Sequence, residues 1–194
     1  AQLRELEGAI LRQDAALGAP AEAEPAAAEE RRKTVTVLLA DIAAPETEDP
    51  ELLHDSSVRA LARIHAVLEQ HGATIEQRAG DEVLAVFGIP QAHEDEALRT
   101  ARSALELGAE VDALSDELEE HGRGRIELRV AIESGEALVG VDETGHGFAT
   151  GPAIGAAKRL LGRAAPGEVV AGPTAVQLLG DAAVLEAPPG EAAR

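Results

Sequence analysis

Apolar positions change their spacing along the chain, and each change marks an element. In Thr34-Val-Thr-Val-Leu-Leu-Ala40 every position from Val35 on is apolar except Thr36, the pattern of a central strand covered on both sides or lying at a subunit contact. The spacing then lengthens. Leu53, Val58, Leu61, Ile64 and Leu68 predict a helix over Leu52 to His71, with Pro50 placed to open it and Gly72 to stop it. Two runs rich in β-branched and apolar residues, Thr74 to Ala79 and Val83 to Phe87, flank Gly80-Asp81 and predict a hairpin. A long helix is expected from His93 to His121, its first turn carrying Glu94, Asp95 and Glu96 against the positive end of the helix dipole, and Gly122 and Gly124 break it. Arg125 to Glu133 and Glu136 to Val141 then predict a second pair of strands around Ser134-Gly135. A glycine-rich connection, Asp142 to Gly147, leads through Phe148-Ala-Thr-Gly151 to a helix over Pro152 to Gly162 with proline in its first turn. A short strand at Glu168 to Ala171, a helix at Pro173 to Leu179 and a last strand at Ala183 to Glu186 complete the order. That succession predicts an α+β fold of the ferredoxin-like sandwich kind, a mostly antiparallel sheet with helices packed on one face.

The ends differ in composition. Leu3, Leu6, Ile10, Leu11 and Leu17 fall near one face of a helix over residues 1–17, and residues 18–30 reduce to Ala, Glu, Pro and Gly, a linker signature. The domain boundary is placed near Arg31, giving a folded domain over 31–187 and a Pro/Gly/Ala tail over 188–194. The lack of methionine, position 1 included, implies a piece of a longer chain.

Composition narrows the possibilities. The 194 residues are 45% hydrophobic with two Phe and no Trp, Tyr or Met, so the core must be built from Ala, Val, Leu and Ile. A formal charge of −19 argues against nucleic acid as a partner of this fragment, because such binding rests on Lys and Arg neutralising phosphates. The absence of cysteine excludes disulfides and thiolate metal sites, and no signal peptide or apolar run of about 18 residues points to a membrane, so a soluble cytoplasmic protein is expected.

Candidate chemistry concentrates on two aspartates. Asp41 ends the first strand and Asp81 sits in the hairpin turn. If the two strands pair, about 4.8 Å apart, the carboxylates meet at one edge of a sheet and suit Mg²⁺ or Mn²⁺. A strand-end aspartate is equally ordinary as a turn or cap residue. The six histidines show no metal-ligand spacing: His71 and His121 read as helix caps, His93 marks a helix start and His65 a helix surface. No Ser-His-Asp order and no Gly-Lys-Ser phosphate loop stands out.

The segments Val35-Thr-Val-Leu-Leu-Ala-Asp-Ile42, Gly80-Asp-Glu-Val-Leu-Ala-Val-Phe-Gly88, His93-Glu-Asp-Glu-Ala97, Val130-Ala-Ile-Glu-Ser-Gly-Glu-Ala-Leu-Val-Gly140 and Thr150-Gly-Pro-Ala-Ile-Gly-Ala-Ala-Lys-Arg-Leu160 resemble, in order, the landmarks of the class III adenylate/guanylate cyclase catalytic domain. The helix over 1–17 also looks like the closing helix of a bacterial transcriptional activator domain. The cyclase resemblance implies a class III cyclase fold and two divalent ions held at Asp41 and Asp81, with Ile42 beside them among the metal positions. It implies a purine read at Gln77 and Phe148, a ribose oriented at Gly155 and an α-phosphate stabilised by Arg159. It also implies a head-to-tail homodimer with sites shared between subunits.

Several of those positions carry the wrong chemistry. Gln77 stands where the family has lysine, Phe148 where it has Asp or Thr, and Gly155 where it has asparagine. Phenylalanine can only stack or pack, and glycine offers no side-chain donor. After Asp41, where the family has a glycine-containing phosphate loop, Ala44-Pro45 removes an amide donor and Glu46, Glu48, Asp49 and Glu51 repel phosphate. Three functions follow: a degenerate cyclase domain acting as a dimerising or nucleotide-sensing module of a multidomain bacterial regulator; a working adenylate cyclase using Asp41, Asp81 and Arg159; or a structural spacer.

Overall fold

The computed structural model describes residues 31–43, 49–77, 80–89, 91–141, 147–184 and 186. The helix expected over 1–17, the linker over 18–30, the acidic loop over 44–48 and the tail over 188–194 lie outside the described residues.

Strand β1 (Arg31–Ala43) lies inside a six-stranded sheet. It pairs on one side with β3 (Glu82–Phe87), which in turn pairs with β2 (Thr74–Gln77). On its other side is β4 (Glu127–Val141), whose far edge takes β5 (Gly147–Thr150) at one end and β6 (Val169–Ala171) at the other. All pairings are antiparallel except β4 with β6, which is parallel, so the α+β fold carries a mixed sheet and not a purely antiparallel one.

The two-sided apolar pattern of β1 has a direct cause. Leu38, Ala40 and Ile42 face helices α1 (Pro50–Gln70) and α2 (Glu96–Glu120), packing in one buried cluster with Ile64, Leu68, Leu107 and Leu114. Val35, Val37 and Leu39 point the other way, toward Ala153, Ile154, Ala157 and Leu161 of α3 (Pro152–Leu161). Helices therefore cover both faces, as the β1 pattern allowed, and the expected sandwich with helices on one face is corrected. A strand alternates its side chains, and the six successive buried positions from Val35 to Ala40 can only be satisfied by a layer on each side.

Local chemistry sets the helix ends. The Asp49 carboxylate accepts from the amides of Glu51 and Leu52 at 3.0 and 3.4 Å, capping α1 just ahead of Pro50. His71 and His121 are the C-cap residues of α1 and α2, as expected. Helix α2 starts at Glu96, three residues later than the acidic run suggested. Glu96 Oε1 accepts from the His93 amide at 2.9 Å, which turns the segment before the helix back on itself.

Three strand expectations are corrected. Ser134-Gly135 is not a turn: β4 runs through it as one strand, because thirteen consecutive residues pair with β1 and Thr36 lies opposite Ser134. Their buried hydroxyls meet at 2.9 Å, so the two polar side chains satisfy each other inside the sheet. Gly147, read as the end of a connection, and residues 148–150, given no element, form β5 along Leu138 to Val141. No strand forms among the described residues after Leu179. Gly180–Ala182 is a 3₁₀ turn and Val184 is 99% exposed, so that segment has no apolar face buried against the sheet. Gly151, at φ +142°, carries the chain from β5 into α3. A side chain there would enter the left-handed region and press on the backbone of Glu136 and Ala137 at 3.2 Å.

Candidate functional site

Register places four charged residues in a row at one end of the sheet. Asp41 lies opposite Glu82 of β3 on one side and Arg129 of β4 on the other. Alternation from Val37 and Leu39 puts Asp41 on the α3 side of the sheet, and directly opposed residues share a face. Arg129 Nη2 donates to Asp41 Oδ2, the two side chains being 34% and 26% exposed. Lys158 of α3 brings its ammonium 3.6 Å from Glu82 Oε1. Lys158, Glu82, Asp41 and Arg129 thus carry the charges plus, minus, minus, plus.

Asp81 arrives beside this row from the hairpin turn. Its carbonyl accepts a long bond, 3.4 Å, from the Ile42 amide, so the two aspartates stand at adjacent strand ends. No described residue pairs with the Asp81 carboxylate. Ile42 buries its alkyl side chain in the core, which leaves only its backbone carbonyl as a ligand. Mg²⁺ and Mn²⁺ are hard cations that need several oxygen ligands. Among the described residues no group of three or more His, Cys, Asp or Glu side chains is disposed to hold a metal, and one of the two expected carboxylates is already neutralised by a guanidinium.

The remaining candidate positions lie on two other elements. Gln77 ends β2 opposite Val83, and Phe148 lies in β5 opposite Gly140. Their neighbours are joined: the Ala149 amide donates to Glu76 Oε2 at 3.1 Å, which ties β2 to β5. Gly155 and Arg159 are one turn apart on α3, and Arg159 Nη1 lies 3.6 Å from the place a β-carbon on Gly155 would take. The guanidinium would be in ordinary van der Waals contact with a side chain begun there. No hydrogen bond or ion pair joins Arg159 to Asp41 or Asp81 among the described residues. Arg159 shares the last turn of α3 with Lys158, favourable against the negative end of the helix dipole.

The family model of the adenylate and guanylate cyclase catalytic domain matches residues 27–187. The chain belongs to this family. Solved cyclases share its fold. The adenylyl cyclase CyaB from P. aeruginosa superposes with a TM-score of 0.73 at 24% identity, over 79% of this chain and 83% of that one. The guanylyl cyclase Cya2 gives 0.74 at 22% identity, over 83% and 88%. A dimeric guanylyl cyclase domain of the RhoGC fusion protein from the aquatic fungus Blastocladiella emersonii gives 0.67 at 19% identity, over 78% and 86%. No curated protein sequence matches the chain. The cyclase fold is therefore established while the chemistry rests on the residues themselves.

Sequence patterns alone did not single out Arg129, Glu82 or Lys158. Arg129 interrupts an apolar strand between Leu128 and Val130, which is the signal that was available. Its meaning depends on the register that sets it against Asp41.

No helix among the described residues is long and apolar enough to cross a membrane.

Proposed function

We propose that this domain is a degenerate class III nucleotidyl cyclase, a dimerising or nucleotide-sensing module of a multidomain bacterial regulator that turns over little or no ATP or GTP. The observation that carries this is Gly155, which offers no side-chain donor at the position where the family places a ribose-orienting asparagine. Gln77 and Phe148 point the same way, since each removes a donor or acceptor aimed at the base. Losing one such positioned group commonly costs about 10²–10³ in rate, and losses within one site do not simply multiply.

A head-to-tail homodimer is the assembly in which the metal end of one subunit would face Gly155 and Arg159 of another. Gly155 and Ala156, the small residues of α3 that are not buried against the sheet, leave that part of its backbone approachable. A purine nucleotide, with Mg²⁺ or Mn²⁺ if any metal binds, is the ligand class such a module would sense.

Asp41, Asp81 and Arg159 are all retained, which favours a second function: an adenylate cyclase forming cyclic AMP and pyrophosphate. Calorimetry with ATP and Mg²⁺ on the 194-residue chain tests the sensing role. Heat that saturates at millimolar nucleotide supports a sensor, and none leaves a structural module. Turnover with Mn²⁺ that Asp41→Ala abolishes establishes the active enzyme instead.

A further inference from the structure

We propose that His93, Glu96 and Arg99 form a proton-operated latch: when His93 takes up a proton, the Arg99 guanidinium changes partner and the turn from α1 into β2 moves with it. The latch lies at the end of the sheet remote from Asp41, since Thr74 opens β2 opposite Val86 and Val86 lies opposite Val37. It does not depend on the degenerate-cyclase function.

One nitrogen faces two opposite demands. His93 Nδ1 lies 2.9 Å from Glu96 Oε1 and 3.2 Å from Arg99 Nη1. Toward the carboxylate it must donate, and toward the guanidinium, which has only N–H donors, it must accept. A neutral imidazole meets one demand and opposes the other. Bare Nδ1 accepts from Arg99 and sets its lone pair against Glu96. Protonation removes the choice: Nδ1 donates to Glu96 in a charge-assisted bond, and Arg99 Nη1 faces a like charge.

A second seat for Arg99 is already present. Glu96 Oε2 is buried without a hydrogen bond among the described residues and lies 3.6 Å from Arg99 Nη1. Glu96 is only 8% exposed, so an unmatched oxygen there is costly and a bond from Arg99 would satisfy it. A shift of about 1 Å closes the gap to hydrogen-bond length.

Such a shift is passed on. The guanidinium is one rigid plane, and its other outer nitrogen, Nη2, donates to the carbonyl of His71, the C-cap residue of α1. A β-carbon on the next residue, Gly72, would come within 2.6 Å of Nη2, so the turn fits closely around the guanidinium. Thr74 then opens β2, and its hydroxyl donates to the Ile89 carbonyl at 3.2 Å, closing the base of the β2–β3 hairpin. Arg99 thus joins the start of α2 to the base of the hairpin that carries Gln77 and Asp81.

Glu96, Arg99 and Glu106 face the two histidines from α2. Glu106 Oε2 lies 2.8 Å from His71 Nε2, which makes His71 a second titratable group on the same turn. Glu94 and Asp95, in the segment of His93, and Glu69, in the last turn of α1, are exposed. β2 and the end of β3 present Thr74 and the Ile89 carbonyl, which carry no charge.

The test is nuclear magnetic resonance of the 194-residue chain, scanned from about pH 5 to 8, where histidine side chains change charge. The Gly72 and Thr74 amides are expected to shift with a component that tracks the His93 ring. His93→Gln, made at a side chain 53% exposed, is expected to remove that component and leave the one that tracks the His71 ring. Arg99→Lys keeps the charge without the planar fork and is expected to uncouple the two amides while His93 still titrates; it decides if His93→Gln does not fold. Amides that ignore pH, or whose response is unchanged in either variant, overturn the proposal. A merely structural Arg99 contact would not give these amides a response linked to a proton at His93. No nucleotide enters the measurement, so an active wild-type enzyme, or one that binds no ATP, bears on the function proposed above and not on the latch.

Discussion

Asp41 and Glu82 stand directly opposite each other across β1 and β3, and each carboxylate has its own basic partner, Arg129 for the first and Lys158 for the second. Two negative charges at one sheet end are thus balanced from within the fold. The Asp41 pair is the stronger, because both its members are mostly buried, whereas Lys158 is 66% exposed and its contribution is screened by solvent.

On the degenerate-cyclase proposal, restoring the lost side chains is not expected to restore chemistry. The double variant Gln77→Lys, Gly155→Asn is expected to remain inactive with ATP and Mn²⁺, because the acidic segment after Asp41 still repels phosphate. Cyclic nucleotide formed by that variant in a steady-state assay would show that base and ribose contacts alone had been limiting.

A buried carboxylate organises the start of the last helix. Glu133 Oε1 accepts from the amides of Ser134 at 2.8 Å and of Ala175 at 3.2 Å, capping α4 (Pro173–Leu179), whose own N-cap residue is Gly172. A β-carbon on Gly172 would collide with the Glu133 carboxylate and with Leu160 Cδ1. Gly172→Ala is expected to destabilise the fold by about 2–4 kcal/mol, combining overpacking with loss of the cap. Urea denaturation with an unchanged slope measures it.

The hydroxyls of Thr36 and Ser134 are coupled. Thr36→Val or Ser134→Ala alone leaves one buried hydroxyl without its partner and is expected to cost about 1–3 kcal/mol. The double variant should cost clearly less than the sum, with an interaction energy of about 0.5–3 kcal/mol from a double-mutant cycle. Strict additivity would mean that the two groups do not bond.

Acid sensitivity has a named contributor. The hydrogen bond from Arg63, reinforced by the charges of Arg63 and Arg59, holds the Glu117 carboxyl below its ordinary value of 4.5 and ties α1 to α2. A lowered native value stabilises the fold above the unfolded value, and the contribution is lost as pH falls through the native one. The stability gap between wild type and Glu117→Gln is therefore expected to be small and full near neutral pH, and to close at more acidic pH. Chemical denaturation across that range checks it, and a gap that widens on acidification would contradict the sign.

Much of the fold was legible because periodicity reports burial. The β1 pattern announced cover on both faces, the spacing of Leu53 to Leu68 gave α1, and the proline positions marked the starts of α1, α3 and α4. Pairing was less legible. Ser134-Gly135 has turn chemistry in isolation, and only Thr36 across the sheet makes it strand. Residues 147–150 become β5 because the end of β4 offers them an open edge, whereas residues after Leu179 find none. The two aspartates at adjacent strand ends follow from the hairpin and β1 pairing. Arg129 did not, since a basic residue within a strand acquires its role from whichever side chain the register sets opposite it.

The central claim is that a cyclase fold persists here without a competent site, and product formation tests it most directly. Purified 194-residue chain is incubated with Mn²⁺ and either ATP or GTP, and cyclic nucleotide is quantified by mass spectrometry. Product no higher than in a protein-free control is expected. Multiple turnovers, lost on Asp81→Asn, would contradict it.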